Sequence, residues 1–207
     1  IFAENAPLFA GSIPMYVDRF NKVWFSTSGE GIQIYNTNGF KHFTFEKMNR
    51  GGHIASILED SKGNIWFGSH GFGLYKYDGS THTYFPLTTH SNELAVRALI
   101  EDSDGSIWAG TVDSGLFKIE NPQSLQPTII RYQCFGDTVH SVFSLTQDQS
   151  DNLWIGTRAN GLIQFDGTNF TQYVVQEQEA INSPNNIRAL ITDKKGNTKK
   201  ITTKFNY

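Results

Sequence analysis

A repeat of 42 to 46 residues, four short β-prone runs in each repeat and glycine-bearing turns between the runs predict an all-β chain. The expected fold is a β-propeller of four-stranded antiparallel blades, with four recognisable blades plus an incomplete fifth. The stretch from Ile54 to Phe85 shows the unit most clearly. Its runs IASILED, NIWFGS, GLYKYD and THTYF are rich in β-branched and aromatic residues, and the turns SKG, HGFG and GST separate them. Trp24, Trp66, Trp108 and Trp154 mark the same place in four units, at spacings of 42, 42 and 46 residues.

Along the chain, Ile1 to Gly11 match the end of an outer strand and the linker that follows it. The blades are expected at about 13–45, 54–87, 96–133 and 139–175, with a partial blade at 187–207. Together they make one propeller domain, or a fragment of one, over residues 1–207. In the third unit NPQSLQP, from Asn121 to Pro127, replaces the short Asp-Gly turn. Its two prolines exclude a regular ladder and predict an elaborated loop. The fifth unit opens on IRALITDKKGN, nearly a copy of VRALIEDSDGS, but Thr198-Lys199-Lys200 stands where Ile-Trp is due. The closing TKKITTKFNY suits a polar edge strand, because lysines discourage further pairing. Pairing of residues 1–10 with 187–207 would close a five-bladed ring. Loss of the packing residues at 198–200 points instead to a piece of a larger ring.

Each repeated residue has a structural reason. The aspartates at Asp18, Asp60, Asp102, Asp148 and Asp193 end the first strand two to four residues before a Gly or Asn. That is where Asp caps its own turn, so the five carboxylates are read as turn formers and not as a metal or acid–base set. The four tryptophans are expected to be equivalent and buried between adjacent blades. Gly68, Gly110 and Gly156 follow them and allow close packing, while Ser26 stands at that place in the first unit. The glycines precede strands and follow no phosphate-loop order, which speaks against a nucleotide site.

Composition narrows the function. A mean hydropathy of −0.37 with 18% charged residues fits a folded globular chain, and no apolar run reaches the length of a membrane span. A net charge of −3 and a pI near 6.1 leave no basic footprint for nucleic acid. Cys134 is the single cysteine, so no disulfide can form within the chain and no partner set for a catalytic thiol is visible. The six histidines lack metal-ligand spacing, and no cofactor or metal is expected. Asn169-Phe170-Thr171 matches a glycosylation acceptor, a pattern common by chance.

The phrase SILEDSKGNIWFGSHGFGLYKYDG, echoed by ALIEDSDGSIWAGTVDSGLFKIE and SLTQDQSDNLWIGTRANGLIQFDG, resembles the two-component regulator propeller repeat over about residues 13–193. Such repeats build the periplasmic sensor region of bacterial hybrid histidine kinases, usually as seven-bladed propellers ahead of another β domain and a membrane span. The resemblance implies a periplasmic or extracytoplasmic sensor of small molecules or oligosaccharides, without catalysis of its own. This chain has fewer blades than seven and no kinase segment, so it looks like a piece or a short relative of such a sensor. Any membrane contact is expected through segments outside this sequence. The family's repeat motif is structural and hands over no binding residues.

Two other readings stay open: a propeller lyase-like enzyme with a channel-mouth site, and a protein-interaction scaffold that self-associates through open blade edges. For a binding module, specificity belongs where the repeats agree least, in the loops between second and third strands and at the inner-strand starts. Glu30, His70, Phe72, Asp113, Arg158 and Asn160 occupy the first set. Arg97, His140 and Arg188 lie at or near the second. The candidate ligand contacts are therefore His70, Phe72, Arg97, His140, Arg158 and Arg188. Arginines with aromatics suit a carbohydrate or a carboxylate, although Arg97 and Arg188, sharing one repeat position, could equally pair with nearby backbone or acids.

Overall fold

The computed structural model describes residues 15–27, 31–43, 53–71, 73–87, 94–133, 141–174, 186–192 and 198–201. Four sheets of four antiparallel strands follow one another, each meandering in chain order. Blade one holds β1 (Met15–Val17), β2 (Val23–Thr27), β3 (Gly31–Asn36) and β4 (Gly39–Phe43). Blade two holds β5 (His53–Glu59), β6 (Ile65–His70), β7 (Gly73–Tyr77) and β8 (His82–Phe85). Blade three holds β9 (Val96–Glu101), β10 (Ile107–Thr111), β11 (Leu116–Glu120) and β12 (Thr128–Tyr132). Blade four holds β13 (Val142–Gln147), β14 (Leu153–Thr157), β15 (Leu162–Phe165) and β16 (Phe170–Tyr173). A fifth, two-stranded sheet pairs β17 (Ala189–Thr192) with β18 (Thr198–Ile201), the latter being the Lys-bearing segment read as an edge. The inner strands β1, β5, β9, β13 and β17 pack in that order, each against the next. The fold class is the one the repeat predicts. Cys134, Asp193 and residues 1–10, whose pairing with the other end of the chain would close a ring, lie outside the described residues.

The turn aspartates do more than cap. In every blade one oxygen accepts the N–H groups two and four residues on: Phe20 and Lys22 for Asp18, Lys62 and Asn64 for Asp60, Asp104 and Ser106 for Asp102, Ser150 and Asn152 for Asp148. The other oxygen accepts the tryptophan indole N–H of the next strand, at 2.8 Å from Trp24, 2.9 Å from Trp66, 2.8 Å from Trp108 and 2.8 Å from Trp154. The turn closes on a residue with positive φ, Asn21, Gly63, Gly105 or Asp151, a conformation that Gly, Asn and Asp tolerate. Burial by itself raises the carboxyl pKa of Asp60. Hydrogen bonds from Asn64, Trp66 and Gln123 outweigh it and hold the group below the usual carboxylate range.

Blades meet through three apolar layers. Trp24, Ile32 and Ile34 pack on Ile54, Ile65, Phe67 and Tyr75 of the next blade. Trp66, Leu74 and Phe85 pack on Val96, Ile107, Ala109, Phe117 and Ile119, and Trp108 and Leu116 on Val142, Leu153, Ile155, Ile163 and Phe165. Trp24, Trp66 and Trp108 are at most 3% exposed. Trp154 is only part-buried, beside the sheet for which two strands are described. The glycines two residues after Trp66, Trp108 and Trp154 make the layers thin. A Cβ on Gly110 would lie 2.4 Å from Val142 Cγ1, and one on Gly68 or Gly156 would strike Val96 or Ile187 at under 3 Å. In blade one Ser26 fills this place, and its Oγ accepts the Ile54 N–H at 3.1 Å.

Polar clasps repeat at the Asp-turn end. Glu59 accepts the Arg19 N–H at 3.0 Å and pairs with the Arg19 guanidinium. Glu101 accepts the Ser61 N–H at 2.6 Å, and Gln147 accepts the Ser103 N–H at 3.0 Å. The 121–127 loop is elaborated as its prolines predict. It reaches back to blade two, where Pro122 O accepts from Lys76 Nζ at 2.6 Å and Gln123 Nε2 donates to Asp60 at 3.2 Å.

Two consequences for stability follow from these contacts. Trp66→Ala or Trp108→Ala should cost about 3–5 kcal/mol in urea unfolding, from lost burial plus the cavity left behind. Gly110→Ala should cost about 1–3 kcal/mol, because Val142 and Ala98 leave no room for a methyl group. A loss near zero at any of these positions would contradict the blade packing described.

Candidate functional site

Each inner strand of blades two to four carries one residue too many near its start. Ile54 pairs with Ser69 and Ser56 with Gly68, which leaves Ala55 without a partner in the ladder. Arg97 is the extra residue between Val96 and Ala98, and Phe143 between Val142 and Ser144. Arg188 holds the same repeat position just before β17. The cause is local packing. Ile54, Val96, Val142 and Ile187, each one residue earlier, are at most 1% exposed, and the last three wedge against the preceding blade's glycine. A bulge after that wedge bends the strand and re-aims the extra side chain. Arg97 and Arg188 are exposed, and Phe143 is half-buried.

These positions face one another across blades. The Arg97 guanidinium lies 4.5 Å from the centre of the Phe143 ring, a cation–π contact. His53 and His70 are register partners across β5 and β6, and their rings stack at 5.0 Å and 15°. Crowding by the surrounding protein, then His70, then Arg97 lower the pKa of His53. Burial, then Arg188, lower that of Arg97.

The adjoining loops are held rigidly. Thr111 and Thr157 hydroxyls donate to Gly115 O and Gly161 O at 2.8 Å, and accept the N–H groups of Ser114 and Asn160 at 3.0 and 2.9 Å. Ser69 makes the corresponding bond to Gly73 O at 3.1 Å.

Of the residues singled out in the sequence, His70 stacks on His53, Arg97 lies on the Phe143 ring, and Arg188 holds the repeat position of Arg97 just before β17. Arg158 sits in the β14–β15 turn with an exposed side chain, its N–H donating to Ser141 O at 3.1 Å. Asp113 is exposed in the β10–β11 turn, with Asn160 half-buried in the β14–β15 turn. Glu30, Phe72 and His140 lie outside the described residues. His53 and Phe143, which the structure sets against His70 and Arg97, were not among the residues singled out in the sequence. Phe143 shares the repeat position of Arg97 and Arg188, so the alignment that pairs the two arginines also finds it. His53 becomes visible only through the register of β5 on β6.

The model of the two component regulator propeller family matches residues 50–71, 91–113 and 137–159. These segments run from the start of the inner strand to the loop after the second strand in blades two, three and four. No curated protein matches the chain. Among solved structures it is similar to the extracellular domain of a protein described as a hybrid two component system from B. thetaiotaomicron. That likeness has 24% identity and a TM-score of 0.74, over 93% of this chain and 26% of that chain. PorZ, a surface component of the type-IX secretion system of Porphyromonas gingivalis, is similar at 18% identity and TM-score 0.71, over 93% of this chain and 32% of that chain. Virginiamycin B lyase from Staphylococcus aureus is similar at 13% identity and TM-score 0.69, over 91% of this chain and 62% of that chain. At these identities the likenesses carry the fold alone, and the chain spans about a quarter of the two component protein's domain. The three matched segments are two component regulator propeller repeats, and they open blades two, three and four of this chain.

Proposed function

We propose that the chain is part of a periplasmic sensor propeller, without catalysis of its own, that binds a small molecule or oligosaccharide fragment at the head of its inner strands. The observation that carries this reading is the bulge. It sets Arg97 and Phe143 apart from the packed faces, at a position shared by Arg188. The contact of Arg97 with Phe143 links two blades, and the bulge also gives a binding site aimed side chains on a rigid support. Two component regulator propeller repeats, and the likeness to an extracellular domain of a two component system, support the sensor role and the extracytoplasmic location. Arginine supplies a planar fork of donors and the aromatic ring packs on apolar sugar faces, which suits an oligosaccharide.

Thermal-shift screening of the chain against oligosaccharide fragments tests the reading. A bound ligand should stabilise the fold by about 2.7 kcal/mol at a hundredfold excess over Kd. Arg97→Ala, folded and with its unliganded melting temperature kept, should weaken that ligand about tenfold or more. The reading fails if no fragment shifts the melting temperature. It also fails if Arg97→Ala and Arg158→Ala both bind like the unaltered chain.

A further inference from the structure

We propose that the chain pairs with a second copy of itself through the face of blade one turned away from blade two. The contact is two-fold, apolar and transient.

Strand register defines the surface. Trp24, Ile32 and Ile34 fill one face of blade one and pack on blade two. Alternation puts Val17, Val23, Tyr35 and Phe40 on the other face. Register pairs Val17 with Val23, Val23 with Tyr35 and Tyr35 with Phe40, so the four form one row across all four strands. The row is open: Val17 is 54% exposed, Tyr35 44% and Phe40 40%. Phe20, in the turn that follows Val17, is 70% exposed.

The other repeats show how such a row is used. The equivalent rows are Glu59, Ile65, Tyr77 and His82 in blade two, and Glu101, Ile107, Ile119 and Ile129 in blade three. In blade four the row is Gln147, Leu153, Phe165 and Phe170. Each seats the tryptophan of the preceding blade. Trp24 lies 6.0 Å from Tyr77 and Trp108 5.8 Å from Phe165, ring to ring, and Trp66 packs with Ile107 and Ile119. Blade one departs from this pattern twice, both times from polar to apolar. Val17 stands where the others carry Glu59, Glu101 and Gln147, and Phe20 where they carry Lys62, Asp104 and Ser150. Both side chains are exposed, so neither serves the core of blade one. Two apolar gains at one end of an open apolar row mark a contact surface.

The same departures select the occupant. In each described junction the preceding blade's turn presents an N–H, from Arg19, Ser61 or Ser103, which Glu59, Glu101 or Gln147 accepts. A repeat blade seated on blade one would bring that N–H against Val17, which accepts nothing, and bury it unpaired. Head-to-tail stacking of copies fails as well. Thr198-Lys199-Lys200 in the fifth sheet replaces the Ile-Trp that the row would seat. Blade one of a second copy brings an apolar row that needs no acceptor and meets its like across a two-fold axis. Val17, Phe20, Tyr35 and Phe40 together offer roughly 400 Å² per copy, by the size of such side chains. Two copies therefore bury about 800 Å² through them, which suits a transient pair and falls well below an obligate interface.

Sedimentation velocity on the 207-residue chain between about 5 and 500 µM tests the pairing. The chain should be monomeric at the low end, with a dimer fraction that grows towards the high end. Val17→Gln and Phe20→Ser install residues that blade four carries at these places. Together they should weaken the dimer about tenfold or more, with the melting curve unchanged. Tyr35→Lys, on the same row, is a second probe and should do the same. Leu125→Ser, at a fully exposed position of the 121–127 loop, is the control and should leave the dimer intact. Lys22, whose ammonium lies 5.5 Å from the Phe20 ring centre, keeps positive charge at the rim. Raising salt from about 50 to 500 mM screens that charge, so association should hold or strengthen.

A chain that stays monomeric to about 500 µM overturns the proposal and leaves the face to another segment of the chain or to a different partner. A dimer that survives both the double substitution and Tyr35→Lys overturns the placement and moves the contact to the blade edges. Species that grow beyond the dimer overturn the two-fold form in favour of head-to-tail stacking. Dissociation by salt overturns the apolar basis in favour of charge pairs.

Discussion

One carboxylate per blade holds this fold together. The aspartate that ends the inner strand gives one oxygen to two N–H groups of its turn and the other to the indole of the next strand. The first use fixes the hairpin and the second fixes the rotamer of the largest side chain in the interface. An indole N–H buried without an acceptor would cost about 1–3 kcal/mol, so satisfying it lets the tryptophan pack fully. Local turn and inter-blade packing thus become one event. The same carboxylate in blade two also receives Gln123 from the blade-three loop, which adds a direct polar link between blades.

The close approach at Gly68, Gly110 and Gly156 follows from that anchoring. With the tryptophan held, the next blade's inner strand advances until its Val or Ile meets the glycine backbone. Where Ser26 replaces glycine, a hydrogen bond to the Ile54 N–H takes the place of the missing contact. Glu59, Glu101 and Gln147 clasp the neighbouring turn at the other end of the strand. The inner strand is therefore pinned at both ends, by a wedge and by a clasp.

The side chains that the bulge sets apart collect at the wedge end. The seven residues of β5 carry the chain about 20 Å from His53 to the Asp turn, so the two ends vary independently. The bulge separates a residue that must pack, such as Val96, from the next, which need not. Ala55, Arg97, Phe143 and Arg188 differ at the freed position while the wedge residues stay branched and buried. A repeat conserved in its mechanics can in this way carry a different side chain in every blade.

By itself the sequence determined the blades. Tryptophan spacing, the Asp-Gly turns and the alternation of runs such as NIWFGS are local properties, and local hydrogen bonding turns them directly into meanders. It also placed Arg97 and Arg188 at one repeat position, since a repeat aligns with itself. The tertiary structure decided what those positions touch. The second oxygen of Asp60 has to find Trp66 six residues away across a hairpin, and the part-burial of Trp154 depends on the sheet beside it. The stacking of His53 on His70 depends on the β5–β6 register, and the contact of Arg97 with Phe143 depends on two blades being wedged together. Each of these turns on how far one sheet advances onto the next. That distance is set by packing between blades and is written in no single segment of the chain.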